Sequence, residues 1–258
     1  MNTFAQNTIK GVAFAAVMLL LFSCASTDRK TDSSAVDSFT AMPQKYITIA
    51  LLGATGMVGG FVLQEALAQG YSVKALARTP QKLEPFKDQI AIIKGNALDP
   101  ATLEQLLKGS DVIISALGPV KADGSAAKGI STTVTGHIIR LMPKHNIKRY
   151  IVVSGAAVDV PGDERNLKGW LIQKLASISL KDTLEDKQAE YQLLADSSIQ
   201  WTLLRCPLIA AESFEYQPRA TLDTPGSFTL RAGELAQFVI EQISSDEFIN
   251  KSPFVGSQ

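Results

Sequence analysis

Gly53, Gly56 and Gly59 stand three residues apart in the stretch ALLGATGMVG, residues 50–59. An apolar run at 46–52 leads into them. A helix-period run, MVGGFVLQEALAQ at 57–69, leads away, with Val58, Phe61, Val62 and Ala66 on one face. Glycines placed between a buried strand and a helix form a cradle for phosphate. Gly53 permits the tight turn, Gly56 lets the backbone approach a pyrophosphate, and Gly59 lets the helix pack closely on the strand. The helix N-terminus adds unpaired N–H groups and a partial positive charge. Thr55, Met57 and Val58, the rest of the loop and first turn, complete the expected contacts. The chemistry is the binding of a dinucleotide; the alternative is a loop kept only for packing.

The end of the second strand selects the dinucleotide. A site for NAD normally ends that strand with an acidic residue for the ribose hydroxyls. Here YSVKALAR, 71–78, runs on to Thr79 without a carboxylate. Arg78 suits a 2′-phosphate through charge-assisted hydrogen bonds, Thr79 adds a hydroxyl, and Lys82 follows. The expected cofactor is NADP, with NAD second; the alternative for Arg78 is a solvated residue at a strand end. Later strand ends should line the same crevice. Asn96 and Ala97 are expected near the adenine, and Ala116, Leu117 and Gly118 near the adenine ribose and phosphates. Ser154, Gly155 and Ala156 are expected where nicotinamide and substrate meet.

The elements that must position these residues alternate. Strands are expected at 46–52, 71–78, 89–95, 111–118, 149–155 and 199–207, the last ended by Pro207. Helices are expected at 57–69, 101–109, 130–145 and 182–196, with a last amphipathic one at 233–243. Strand and helix at this cadence predict an α/β fold, a doubly wound parallel sheet of the Rossmann type. It forms a single domain with small C-terminal elements on the substrate side. Residues 208–229 lack a helical period and contain Pro218 and Pro225, so they are expected as a small lid. The tail FINKSPFVG is expected to add a short edge strand.

Composition is that of a globular protein, 46% hydrophobic and 19% charged. The 25 basic and 25 acidic residues cancel, which argues against a nucleic-acid partner. Cys24 and Cys206 make neither a disulfide framework nor, with His137 and His145, a metal-ligand cluster. Residues 1–23 differ from the rest. Lys10 precedes the apolar run VAFAAVMLLLF at 12–22, which is short for a membrane span and suits a signal peptide. Leu21, Phe22, Ser23 and Cys24 resemble the bacterial lipoprotein processing box, with Phe22 bulkier than usual. The resemblance implies an acylated Cys24, a flexible tether over 24–44 and a domain over 45–256. It implies a lipid-anchored protein of the bacterial cell envelope, facing the periplasm or the exterior. The alternative is a cytoplasmic protein whose leader is not a functional signal.

GATGMVG at 53–59, ALARTPQKL at 75–83, NIKRYIVVSGAA at 146–157, KQAEYQLLADSSIQWTLLRCP at 187–207 and RAGELAQFVIEQI at 231–243 together resemble one family. It is the atypical short-chain dehydrogenase/reductase superfamily, in its NAD(P)H-binding, NmrA-like and biliverdin-reductase-B-like group. The resemblance covers about residues 45–256 and implies a fold and a cofactor, not a substrate. Catalytic members of the wider superfamily carry a serine after the fifth strand and a Tyr-x-x-x-Lys pair on the next helix. Ser154 matches the serine and Lys187 the lysine, which implies catalytic and cofactor-binding roles for both. The tyrosine position holds Thr183, and an aliphatic hydroxyl is a far poorer acid than a phenol of pKa about 10.

The residues leave alternatives beside those roles. Ser154 also suits a loop hydroxyl satisfied by local backbone, and Lys187 a helix lysine paired with Glu190 or Asp186. Tyr191 reads as packing, Cys206 as a buried thiol, Arg205 as an anchor and Trp201 as core. A missing proton donor points to acceptors that take their proton from water, such as a flavin, a quinone or another small conjugated molecule. The leading expectation is an NADP(H)-dependent oxidoreductase acting on such a substrate. The others are a non-catalytic cofactor- or protein-binding module and an epimerase-like use of the fold. Oligomeric state is not legible.

Overall fold

The first strand is apolar on both sides because it is covered on both sides. In β1 (Thr48–Leu52) Ile49 and Leu51 turn one way and Ala50 and Leu52 the other, all fully buried. The protein was analysed as a computed structural model, which describes residues 47–118, 128–164, 166–167, 169–171, 173–174 and 180–258. The chain divides into Met1–Pro43 and Gln44–Gln258. The leader, Cys24 and the tether lie outside the described residues.

Five strands follow β1 at the expected places: β2 (Ser72–Ala77), β3 (Ala91–Lys94), β4 (Val112–Ser115), β5 (Arg149–Gly155) and β6 (Gln200–Cys206). Four shorter ones complete the set: β7 (Leu208–Ala210), β8 (Arg219–Thr221), β9 (Thr229–Arg231) and β10 (Phe254–Gly256). The main sheet has the order β3-β2-β1-β4-β5-β6-β10-β8, parallel throughout except for β8. The chain reverses direction across the sheet between β1 and β4, and that is where a crevice opens in folds of this kind.

Helices α1 (Met57–Ala68) and α5 (Ala232–Glu241) cover one face. Their core joins Val62, Leu63, Leu235 and Val239 to Leu51, Ile114, Ile151 and Leu204. Helices α2 (Pro100–Leu107), α3 (Ile130–Leu141) and α4 (Lys181–Ala195) cover the other. There Leu103, Leu106, Val134, Ile138 and Leu194 meet Leu52, Ile113, Tyr150 and Leu203. The fold is the doubly wound α/β sheet that the strand–helix cadence predicts.

Two expectations need correction. The tail strand β10 is not an edge: it lies between β6 and β8, pairing parallel with one and antiparallel with the other. Residues 208–229 are not only a lid. β7 pairs with β9 in a small parallel sheet, and β8 closes the main sheet. These strands are three residues long, too short to show a period in sequence.

Arg205 anchors this end of the molecule. Fully buried, it donates to both Asp163 oxygens and to the carbonyls of Ser252, Val158 and Leu222, and its guanidinium stacks 3.6 Å from the Phe254 ring. Cys206 is buried, and burial pushes its thiol up, away from the reactive thiolate.

A second tie joins α4 to α3. Gly129, at the entry to α3, has a left-handed φ of 70° and no side chain to cap the helix. The Asp186 carboxylate takes that role, accepting from the N–H groups of Ser131 and Thr132 at 2.9 Å and from the Thr132 hydroxyl at 2.7 Å. Burial acts to raise the Asp186 pKa, but the hydrogen bonds from Thr132 and Ser131 outweigh it and hold the carboxyl below its ordinary 3.8. The charged cap therefore contributes stability above the unfolded-state value and loses it as pH falls through the lowered folded-state value. Asp186→Asn is expected to cost about 1 kcal/mol near neutral pH. Urea titrations below about pH 4 should show the parent losing stability more steeply than the variant.

Candidate functional site

Between β1 and α1 the backbone turns so tightly that side chains are excluded. Gly53 has φ +85°, and a Cβ there would lie 2.6 Å from the Ala116 carbonyl oxygen. A Cβ on Gly59 would lie 2.0 Å from the Gly53 oxygen, so α1 sits directly on the loop. The turn closes through a 2.9 Å bond from the Gly56 N–H to the Gly53 oxygen. Thr55, Gly56 and Met57 are exposed, Val58 is half-buried and Gly59 buried.

The start of α1 is open. Its N-cap Gly56 makes no side-chain bond and its first turn holds no acid. Helices α2 to α5 each meet a carboxylate there: Asp99 caps α2, Asp186 caps α3, and Asp182 and Glu234 stand in the first turns of α4 and α5. A helix start with free N–H groups and no anion of its own suits a phosphate.

The other expected residues gather along the carboxyl ends of the strands. Arg78 and Thr79 are exposed just past β2, with Thr79 opening a 3-10 turn at Pro80–Phe86. Past β3, Asn96 is exposed and uses its side-chain oxygen to accept from the Leu98 N–H, while Ala97 is buried in the core. Ala116, Leu117 and Gly118 are half-buried past β4, with Ala116 against Gly53.

Ser154 lies near the end of β5, inside the strand expected at 149–155, and is paired in register with Arg205. It is 6% exposed, and its hydroxyl has no hydrogen-bond partner among the described residues. Strand alternation puts it on the face that bears Tyr150, Val152 and α4. A buried hydroxyl without a partner costs about 1–3 kcal/mol.

Lys187 is buried, and three protein acceptors hold its ammonium: the carbonyls of Leu117 at 3.1 Å and Val153 at 3.2 Å, and Glu190 Oε2 at 2.8 Å. It thereby ties the ends of β4 and β5 to α4. Glu190, 1% exposed, accepts with its other oxygen from Thr135, whose hydroxyl lies 3.0 Å from the Tyr150 hydroxyl. Burial, with the nearby Glu190 charge, pushes the Tyr150 phenol up, so it stays protonated.

Sequence pattern signalled the Lys187–Glu190 spacing. Nothing in it signalled Thr135, Tyr150 or the two carbonyls, which come from separate elements. Tyr191 is buried on the same helix as Lys187, one turn later. Its ring meets Trp201, at the start of β6, edge-on with centroids 6.1 Å apart. It also borders a cavity of about 500 Å³ with Trp201, Arg205 and Ser252 on the sheet face. Thr183, half-buried, stands one turn before Lys187. Among the described residues no cluster of His, Cys, Asp and Glu could hold a metal ion, and no helix is long and apolar enough to cross a membrane.

The NAD(P)H-binding family model matches residues 53–246. The photosystem II assembly factor Ycf39 of Synechocystis sp. is 22% identical over 221 residues, 81% of this chain and 63% of its own length. An isoflavone reductase homolog, IRL of Zea mays, is 28% identical over 104 residues, 37% of this chain and 34% of its own. The chain thus spans less than two thirds of the length of either relative. Among solved structures, ChuY, an anaerobillin reductase of Escherichia coli O157:H7, superposes with TM-score 0.68 at 17% identity, covering 81% of this chain and 96% of its own. A short-chain dehydrogenase/reductase of Veillonella parvula in complex with NADP gives 0.67 at 19%, covering 82% and 95%. These two likenesses establish the fold.

The Lys187 tie has a measurable consequence. Lys187→Met leaves the Glu190 carboxylate buried without its cation and is expected to destabilise the protein by about 3–5 kcal/mol in urea titrations. Pairing it with Glu190→Leu should recover more than half of that loss, because no charge then remains buried.

Proposed function

The chain belongs to the NAD(P)H-binding family, and from that premise we propose an NADP(H)-dependent oxidoreductase that reduces a small conjugated acceptor. The observation that carries this reading is the cradle at Gly53–Gly59. Gly53 and Gly59 admit no side chain, and the first turn of α1 holds no acid of its own. The cofactor, when bound, supplies the hydride. The N–H groups of the first α1 turn would hold its pyrophosphate. Arg78 and Thr79 would hold a 2′-phosphate beyond β2, and Asn96 and Ala97 would border the adenine. The backbone at Ala116–Gly118 would run beside the ribose.

On the reacting side Ser154 is the group with unused capacity. Its hydroxyl is buried and unpartnered, so it can donate to a carbonyl oxygen as negative charge builds there. Lys187 acts by fixing the walls: its bonds to the Leu117 and Val153 carbonyls set the crevice width beside Ser154. Contact with a ribose hydroxyl would exchange one of those carbonyls. Thr183 offers no proton at neutral pH, so the acceptor takes its second proton from water. A second reading, a cofactor-binding module without turnover, is favoured by the committed state of the Lys187 ammonium. We also propose that Cys24 is acylated and holds the domain at a bacterial membrane through residues 24–44.

Calorimetry on the full chain is expected to give tighter binding of NADPH than of NADH. Arg78→Ala should weaken NADPH by about tenfold, the scale of one charge-assisted hydrogen bond, and NADH far less. Equal losses would remove Arg78 from the phosphate, and binding of neither cofactor would remove the whole reading. If NADPH binds, its oxidation in the presence of acceptors separates the enzyme from the silent module. Mass spectrometry of the native protein should find an acylated N-terminal Cys24; a chain that still begins at Met1 would refute the anchor.

A further inference from the structure

The chain between β5 and α4 turns an apolar face to water. Residues 167, 169–171 and 173–174 are helical. The turn starts at Asn166, whose side-chain oxygen accepts from the Gly169 N–H at 3.0 Å, while the Trp170 N–H donates to the Asn166 carbonyl at 2.9 Å. In a helix, residues three and four apart share one face. Leu167, Trp170 and Leu171 stand at that spacing and are 79%, 54% and 40% exposed. The polar side is held by the rest of the domain. The Glu164 N–H donates to the Asp223 carbonyl at 2.9 Å, the Asn166 N–H to the Thr224 hydroxyl at 3.1 Å, and the Gln173 side chain to the Asp159 carboxylate at 2.6 Å. Gly169, which has no side chain, is buried. The turn is thus pinned by its polar groups while its large apolar side chains stay in solvent.

The sequence around this face is cationic. From Arg165 to Leu180 it carries Arg165, Lys168 and Lys174 and no acidic residue, in a chain whose net charge is zero. Single apolar residues on a surface need no explanation, but three large ones side by side mark a place of contact. Protein–protein interfaces are depleted in lysine. Tryptophan and leucine with lysine and arginine among them are instead the composition of a helix that lies in a membrane–water interface. The indole ring suits that depth, because its body is apolar and its N–H reaches water or headgroup oxygen.

We propose that Leu167, Trp170 and Leu171 enter the surface of an anionic phospholipid bilayer. This contact is made by the folded domain itself, apart from the acyl group proposed on Cys24, and it is independent of the cofactor reading. An acyl chain on a flexible tether leaves the orientation of the domain free. A contact on the domain fixes one face toward the lipid, and the tether makes that contact intramolecular, so three side chains suffice.

The test places the full chain on vesicles of phosphatidylcholine and phosphatidylglycerol, with phosphatidylcholine brominated in its acyl chains as the quencher. The chain has two tryptophans. Trp201, buried at the start of β6, gives the background, and Trp170→Phe removes the reporting ring. Brominated lipid is expected to quench the emission of the parent and to quench Trp170→Phe far less. Leu167→Asp, at the most exposed of the three positions, should lose most of the Trp170 quenching with its urea midpoint unchanged. Vesicles of phosphatidylcholine alone should give weaker quenching; equal quenching there overturns the anionic preference. Equal quenching of the parent and Trp170→Phe, or a Leu167→Asp chain quenched like the parent, overturns the bilayer contact, while the acylation of Cys24 is decided separately by its mass. Trp170 emission shielded from iodide before any vesicle is added, in a species whose size grows with concentration, gives the face to a second copy of the chain and overturns the contact too.

Discussion

The cofactor side of this protein depends on a missing carbon atom. The ends of β1 and β4 converge so that the Ala116 carbonyl oxygen occupies the place of a Cβ at residue 53, while α1 presses on the same turn through Gly59. Any side chain at either position would push strand from strand or helix from loop. The start of α1 is left with no side-chain cap and no acid in its first turn. Helices α2 to α5, by contrast, each begin against a carboxylate.

The opposite wall is held by charge. Lys187 binds the Leu117 carbonyl just past β4, the Val153 carbonyl within β5 and a carboxylate on its own helix, and Asp186 beside it caps α3. Adjacent residues of α4 thus tie that helix to the sheet in one direction and to α3 in the other. Burying an ammonium is costly unless all its protons are satisfied, and here each is. The same saturation explains why the Ser154 hydroxyl, left without a partner on that wall, stands out as the group with capacity to spare. In the proposed chemistry the lysine shapes the site and the serine touches what enters it.

Much of the fold was legible in the residue pattern. The apolar runs of β1 to β6 and the helical periods between them fall where expected, since a sheet covered on both faces needs uninterrupted apolar strands. The glycine loop was legible for a related reason: its spacing reflects local backbone geometry. The pattern failed where strands are short and their partners distant. β7, β8 and β9 are too brief to show alternation, and β10 acquires its interior position from β6 and β8, far from it in sequence. Ser154 falls within the strand expected at 149–155, but its register partner Arg205 and its unpartnered hydroxyl come from across the sheet and are not written in the local pattern.

By itself, the sequence determined the order of strands and helices, the phosphate cradle, the basic end of β2 and the absence of a tyrosine four residues before Lys187. These are properties of residue type and of short separations along one chain. Only the tertiary structure decided that Lys187 has its donors committed, that the Ser154 hydroxyl lacks a partner among the described residues, and that Tyr191 packs edge-on against Trp201. Each of those depends on which backbone carbonyl or side chain arrives from another element. Spacing does not encode that, because hydrogen-bond partners and burial are settled only when the strands and helices come together.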